Sequence, residues 1–511
     1  MIHREPREAS GQRFDLLVIG GGIYGATLLL EGARRGLRCV LVERGDFGGA
    51  TTWSSMRILH GGLRYLQSGD LRRFLASVRE RRRILRCFPE LCEPLPCLLA
   101  LYGDGLRSPA VLRAALVAND LLSAARNRGV ETRLALPRGH VLDVSETLER
   151  CPLLPADGLR GGAVWFDGSL PDAQRLVLEL LHWASACGGS ALNYVEAVGL
   201  GGAGGPDLSV ECRDHVGGEH LEIRSRAVVN CAGPWWPDVA VAMGSDHDLA
   251  AGHALGFNLL LAKEPPAGEA LGLTLPRGGG TVFLRGWKGM TLAGTFHGPA
   301  VGEARPPDGA QLAEAVEALR RALPAWTVNA ADVLRVHWGL LPTRWRDSAV
   351  PASRPRWVDH GRRGGPDGLF SVSGVKLTTA WAVAKSALGR VARRRRLPLT
   401  ATRGPQRPPP AAWTPAESFE PLLARDPEGA AAEARCLIES ESVLFPDDLL
   451  LRRTDWGCDP RRGRRIARLL APLLGWQEEM LAAAVERLGT PRPGPAAPAP
   501  QPADGTPEGS S

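Results

Sequence analysis

The alternation of apolar and polar positions divides the chain into recognisable elements. Phe14–Ile19 is a short apolar run ending in glycine, which predicts a buried parallel strand. Ile23–Arg35 has helical periodicity and stops at Gly36. Cys39–Val42 is the next strand, so the chain opens on a strand–turn–helix–strand unit. Gly48–Ser55 is a loop of small residues. Asp70–Cys87 and Arg107–Ala125 predict helices, the first dense in arginine. Asp172–Cys187 predicts an amphipathic helix introduced by Pro171. A Gly-rich turn, Gly199–Leu208, separates two strands, and Ala227–Cys231 is a second buried strand. Trp287–Thr295 suggests strands of another sheet. Leu369–Ser373 is one more strand, followed by a helix from about Leu377. Ala401–Pro415 is a Pro-rich linker, and Pro421–Leu488 is helical. From Gly489 the chain is Pro, Ala, Gly and Ser with almost nothing to bury, which predicts a disordered tail.

Gly20-x-Gly22-x-x-Gly25 falls between the first strand and the first helix. In that setting the first glycine permits the turn, the second lets a pyrophosphate approach the backbone, and the third packs helix on strand. Glu43 ends the second strand, where an acid can bind ribose hydroxyls. The fingerprint alone does not separate NAD from FAD. Thr51, Thr52, Ser54 and Ser55 follow the second strand directly, and Asn230-Cys-Ala-Gly233-Pro-Trp235 ends a later strand, where a flavoprotein chain returns to the same sheet; both favour FAD.

Composition narrows the partners. The 511 residues suffice for two or three domains. The net charge of +7 is carried almost wholly by arginine, which suits an anionic cofactor or phosphorylated substrate and permits contact with an acidic membrane surface. No nucleic-acid module accompanies it. The ten cysteines form no C-x-x-C pair, and Cys87, Cys92 and Cys97 match no zinc pattern, so no metal is expected. Met1–Gln12 is polar and charged rather than a secretory signal, and no run of 18 apolar residues exists. A cytoplasmic protein, at most peripheral on the inner membrane face, is expected.

The chain resembles the flavin-dependent glycerol-3-phosphate dehydrogenases of the D-amino-acid-oxidase-like superfamily. The fingerprint with Glu43, TTWSSMRILHGGLRYL at Thr51–Leu66, VVNCAGPW at Val228–Trp235, SVSGVKLTT at Ser371–Thr379 and FPDDLLLRRTDWG at Phe445–Gly457 carry the resemblance; about Asp238–Arg363 matches least well. It implies an α/β fold: a Rossmann-like FAD-binding domain, a sheet-based substrate domain and a helical C-terminal cap. The expected division is a polar extension at 1–13, an oxidoreductase region at 14–400, a linker at 401–415, a helical domain at 416–488 and the tail at 489–511. FAD-binding parts are expected at about 14–66, 190–237 and 365–395.

The same resemblance implies oxidation of sn-glycerol 3-phosphate to dihydroxyacetone phosphate, with electrons passing to a quinone, or to oxygen as in the related oxidases. A homodimer is a further expectation, and peripheral membrane contact is one that the arginine charge permits. The cofactor set is Gly20, Gly22, Ile23, Tyr24, Gly25, Glu43, Arg44, Thr51, Thr52, Ser54, Ser55, Val195, Ala232, Gly233, Gly374, Leu377 and Thr378. His60 is the candidate general base, with Arg64 and Lys376 also catalytic. Arg64, Tyr65, Arg344 and Lys376 are the candidate substrate contacts, a guanidinium holding phosphate through paired hydrogen bonds. Asp447, Asp448, Arg452 and Arg453 read as a structural ion network in the cap. The seven arginines at 72, 73, 79, 81, 82, 83 and 86 read as a solvated helix face, with anionic lipid the alternative.

Three positions depart from the family. Arg57 stands where it usually has Lys. Leu341 replaces an Arg that reaches the substrate, leaving Arg344 or Arg346 to compensate, with Arg354 and Arg356 near another basic position. His297 stands where an acid is frequent. These departures keep two alternatives open: an enzyme of the same superfamily acting on another small hydroxy or amino compound, or a flavin-binding protein without turnover.

Overall fold

The structure is a computed structural model, described over residues 1–105, 108–201, 207–245, 252–275, 280–300, 305–343, 348, 350–402 and 419–489. The expected disordered tail, most of the Pro-rich linker, Arg344 and Arg346 lie outside those residues.

The opening apolar run does not make one strand. It breaks at Asp15, whose carboxylate accepts from the Arg38 amide at 3.0 Å. Arg13–Phe14 pairs with His220–Ser225, while Leu16–Ile19 enters a different sheet. That second sheet has six strands in the order Arg356–Asp359, Leu369–Ser373, Val228–Asn230, Leu16–Ile19, Cys39–Glu43 and Ser190–Asn193. All its pairings are parallel except the Arg356–Asp359 edge. Its strands are apolar on both faces because both are covered. Leu16, Val18 and Leu41 pack with the helices Ile23–Ala33, Ala173–Ala186 and Ala380–Arg395. Leu17, Ile19, Val40 and Val42 pack against the four-stranded sheet containing Val195–Leu200, Leu208–Asp214 and His220–Ser225.

After Glu43 the chain crosses to a nine-stranded sheet through the short strand Ile58–Leu59. Its centre is the hairpin Thr281–Trp287 and Met290–Pro299, joined by Lys288 and Gly289, both at positive φ, as a two-residue hairpin turn requires. Helix Gly309–Ala322 backs this sheet with Ala315, Val316 and Leu319. The first residues are packed despite their polarity: Ile2 is buried and its amide donates to the Ser440 carbonyl at 2.8 Å.

Helices Phe419–Arg425, Pro427–Ser440, Pro460–Leu474 and Glu478–Gly489 form the cap around Leu437, Leu449, Trp456, Ile466 and Leu488. Trp53 joins that core from outside and donates its indole N–H to the Leu451 carbonyl at 3.0 Å. The ion network is not confined to the cap, as the sequence reading had it. Arg453 donates to both oxygens of Asp46 at 2.6 and 2.8 Å, and Arg452 also pairs with Asp46. Tyr194 Oη donates to Asp448 at 2.7 Å. Arg175 bridges Glu179 and Glu441, and His182 Nε2 lies 2.9 Å from Glu441. All these side chains are buried except Arg452, which is partly exposed, so each buried charge depends on its partner. Among the described residues no helix is long and apolar enough to cross a membrane, and no His, Cys, Asp and Glu cluster could hold a metal.

Candidate active site

A cavity of about 1800 Å³ lies where the six-stranded sheet, the nine-stranded sheet and the cap meet. It exceeds the roughly 300–1,000 Å³ usual for a small-molecule pocket. Every residue of the expected cofactor set lines it except Gly25.

The three glycines divide the work as their spacing suggests. Gly20 has φ +105°, and a Cβ there would stand 2.7 Å from the Cys231 carbonyl. At Gly25 a Cβ would stand 1.9 Å from the Gly20 carbonyl, so this glycine packs helix on strand and stays out of the cavity. Gly22 faces the cavity, and the nearest atom to a Cβ there is Thr52 Oγ1 at 3.4 Å. Thr52 Oγ1 accepts from the Ile23 amide at 3.2 Å and so ties the small-residue loop to the helix start.

Glu43 accepts from the Gly21 and Gly45 amides at 2.6 and 2.9 Å; burial pushes its pKa up and these hydrogen bonds oppose that. Arg44 stacks on Trp235 at 4.5 Å. Arg44 Nη2 and Ser55 Oγ are buried at the cavity wall without a hydrogen-bond partner among the described residues. Buried polar groups need partners. A bound phosphate-bearing, hydroxylated cofactor offers them, so the residues present fit FAD. Tyr24 Oη accepts from the Lys376 amide at 3.1 Å and donates to its carbonyl at 2.9 Å, clamping the turn after Ser373 to the first helix. The following segment is a 3-10 turn, Leu377–Thr379, and the α-helix starts at Ala380 rather than Leu377.

His60, Arg64, Tyr65 and Lys376 line the same cavity, which the distance of Lys376 from the other three in the chain did not require. His60 Nδ1 lies 3.3 Å from Asp167 Oδ2, and the His60 side chain is about half exposed (51%) to the cavity. Asp167 is buried and also accepts from the Gly61 amide at 2.7 Å and from Arg81. Burial alone would raise its pKa, but the His60 contact and Arg81 hold it at about 2. Lys376 Nζ sits 4.1 Å above the Tyr65 ring, and Arg73 stacks on the same ring at 4.3 Å. Burial and the nearby Arg64 push Lys376 down to about 8. Burial and Arg64 likewise push His297 below its ordinary value. Arg64, Lys376 and His297 have no carboxylate in ion-pair contact among the described residues, whereas Arg73 pairs with Asp70.

Leu341 lines the cavity beside Gly256, on the strand Val333–Pro342. Of the arginines considered as compensation, Arg344 and Arg346 lie outside the described residues, and Arg354 and Arg356 do not line the cavity. Arg57 has a different job from a substrate contact. Its Nε donates to the Pro171 carbonyl at 3.0 Å and its Nη1 to the Ser55 carbonyl at 2.8 Å, while the guanidinium stacks on Trp287 at 4.1 Å. Asp167 escaped sequence reasoning; one acid in the apolar stretch Leu159–Ser169 was its only signal.

The model of the DAO family, FAD dependent oxidoreductase, matches residues 15–388. The chain belongs to this family. It is an enzyme whose cofactor is FAD, on the glycerol-3-phosphate dehydrogenase branch. It is 30% identical to glycerol-3-phosphate dehydrogenase 1 of Mycobacterium tuberculosis over 90% of this chain and 94% of that protein. It is 29% identical to glycerol-3-phosphate dehydrogenase of Synechocystis over 75% of this chain and 71% of that one. Its fold is similar to glycerol-3-phosphate dehydrogenase from Bacillus halodurans complexed with FAD, with a TM-score of 0.70 at 21% identity over 94% and 95% of the two chains. L-alpha-glycerophosphate oxidase from Mycoplasma pneumoniae with FAD bound shares the fold at a TM-score of 0.56 and 14% identity, over 76% of this chain and 96% of that one.

Proposed function

We propose that this flavoenzyme oxidises sn-glycerol 3-phosphate to dihydroxyacetone phosphate and passes the electrons to a quinone. The observation that carries this reading is the pair of cations Arg64 and Lys376, with His297 near Arg64, none of them paired with a carboxylate among the described residues, in the same cavity as the His60–Asp167 pair. A phosphate dianion supplies the missing negative charge, and the Arg64 fork can bind two of its oxygens. Asp167 keeps the His60 Nδ1 proton in place and leaves Nε2 to take the substrate hydroxyl proton. FAD, when bound, accepts the C2 hydrogen as hydride. The cofactor set given above, apart from Gly25, would hold FAD: Gly22 and Thr52 would serve its pyrophosphate, and Glu43 its ribose. The same reading divides the chain at 14–400, 401–415 and 416–488. The quinone rests on likeness to the dehydrogenases, and peripheral membrane contact on the arginine charge; a homodimer is part of the same proposal.

Leu341 favours a second reading, in which another small hydroxy or amino compound is the substrate. Mixing the FAD-loaded protein with glycerol 3-phosphate without oxygen separates the two. Bleaching of the flavin absorption supports the first reading. An unreduced flavin that is bleached by a different hydroxy or amino compound supports the second.

A further inference from the structure

Helix Leu71–Cys87 brings one end to the large cavity through Arg73 and Ser77. Its other end helps form a separate pocket of about 450 Å³ lined by Arg82, Arg86, Arg128 and Gly129. Thirteen residues at ~1.5 Å rise put Arg86 roughly 20 Å from Arg73, so the two pockets are distinct. Arg82 and Arg86 are four apart and share a helix face. Arg82 is held in place by donating to the Ala125 carbonyl at 2.8 Å. Gly129 has φ +73°, and a Cβ there would stand 3.1 Å from Arg86 Nε, so the chain passes close against that guanidinium. The neighbouring acids are already committed: Glu80 to Arg83, Asp120 to Arg126, and Glu90 and Glu131 to Arg133. No carboxylate pairs with Arg82, Arg86 or Arg128 among the described residues.

Three arginines line the concavity, Arg82 partly buried and Arg86 and Arg128 exposed, and an anion seated among them would relieve the mutual repulsion that solvent leaves unscreened. The planar, multi-donor heads match the oxygens of a phosphate group. We infer that Arg82, Arg86 and Arg128 form a second anion site that binds a phosphate group, apart from the reaction centre. The phosphate can come from a small free anion or from a lipid headgroup. Leu121 and Leu122, on the helix leading to Arg128, are exposed apolar neighbours that a lipid surface would cover.

Equilibrium dialysis of the holoenzyme with radiolabelled inorganic phosphate tests the first source. Flotation with phosphatidylcholine vesicles, with and without phosphatidic acid, tests the second. Both are run on the wild type and on Arg86→Ser/Arg128→Ser, so binding in the large cavity is common to the pair. Each removed arginine should weaken phosphate binding by about tenfold or more. Loss of one phosphate equivalent identifies a free anion as the ligand, and loss of phosphatidic-acid-dependent flotation identifies a lipid headgroup. Arg128→Ser alone, judged against unchanged flavin content, guards against a folding defect. Equal phosphate binding and equal flotation in all three proteins overturns the site.

Discussion

Replacing Asp167 with asparagine removes one charge while keeping nearly the same shape. In the wild type the carboxylate is buried between His60, the Gly61 amide and Arg81. Its pKa falls from an ordinary 3.8 to about 2. At ~1.4 kcal/mol per decade, that depression is worth roughly 2.5 kcal/mol of folded-state stability. Because the folded value is depressed, this contribution is complete above about pH 4 and is lost as pH falls towards 2. Asparagine removes it at every pH and leaves Arg81 buried without its anion, a loss on the order of 3–5 kcal/mol when a buried pair is broken. The amide can also donate to His60 Nδ1, which would place the ring proton on Nε2, the nitrogen that must accept one. Asp167→Asn should therefore lower the denaturant midpoint of the holoenzyme and flatten the acid limb of its stability. It should also slow anaerobic flavin reduction by ~10²–10⁴-fold with FAD still bound. Denaturation followed by flavin fluorescence, and stopped-flow bleaching, measure the two effects. Wild-type stability together with wild-type reduction rates would refute the role given to this residue.

Leu341→Arg should raise glycerol 3-phosphate turnover by roughly 10–150-fold, the worth of one charged hydrogen bond of ~1.5–3 kcal/mol; steady-state kcat/KM checks it, and no gain argues for a different substrate. Lys376 is cationic below its pKa of about 8 and loses its charge above it. The KM for a phosphorylated substrate should therefore rise as pH passes through about 8, and Arg64→Ala should move that limb to higher pH, as KM–pH profiles would show. Gly25→Ala should abolish folding or flavin incorporation, because its Cβ meets the Gly20 carbonyl at 1.9 Å. Gly22→Ala should fold, since 3.4 Å separates its Cβ from the nearest atom, but should yield protein with less flavin per chain.

Much of the cavity lining was legible because its signals are local. The glycine fingerprint, Glu43 and the segment around His60 each specify a turn and its neighbours within a few residues. Four strands of the six-stranded sheet were legible for the same reason, Leu16–Ile19, Cys39–Glu43, Val228–Asn230 and Leu369–Ser373, whereas Ser190–Asn193 and Arg356–Asp359 were not. The break at Asp15 was not, since the side chain that splits the strand finds its partner at Arg38. Asp167 lies 107 residues from His60, and nothing in the periodicity of either segment pairs them. The last sheet-covering helix starts at Ala380, just after the clamp between Lys376 and Tyr24, which are 352 residues apart. Burial set by distant partners likewise makes Arg57, read only as a departure from the family's Lys, a structural brace.

Asp46 follows Glu43 by three residues, with Gly45 hydrogen-bonded to Glu43 between them. One short turn thus faces the cofactor cavity at one end and takes Arg452 and Arg453 of the cap at the other. Thermodynamic coupling is reciprocal. Whatever free energy the cap spends in ordering that turn is free energy the cofactor need not spend, and the same amount returns to cap docking when the cofactor binds. Holding the flavin and holding the C-terminal helices are then two readouts of a single equilibrium.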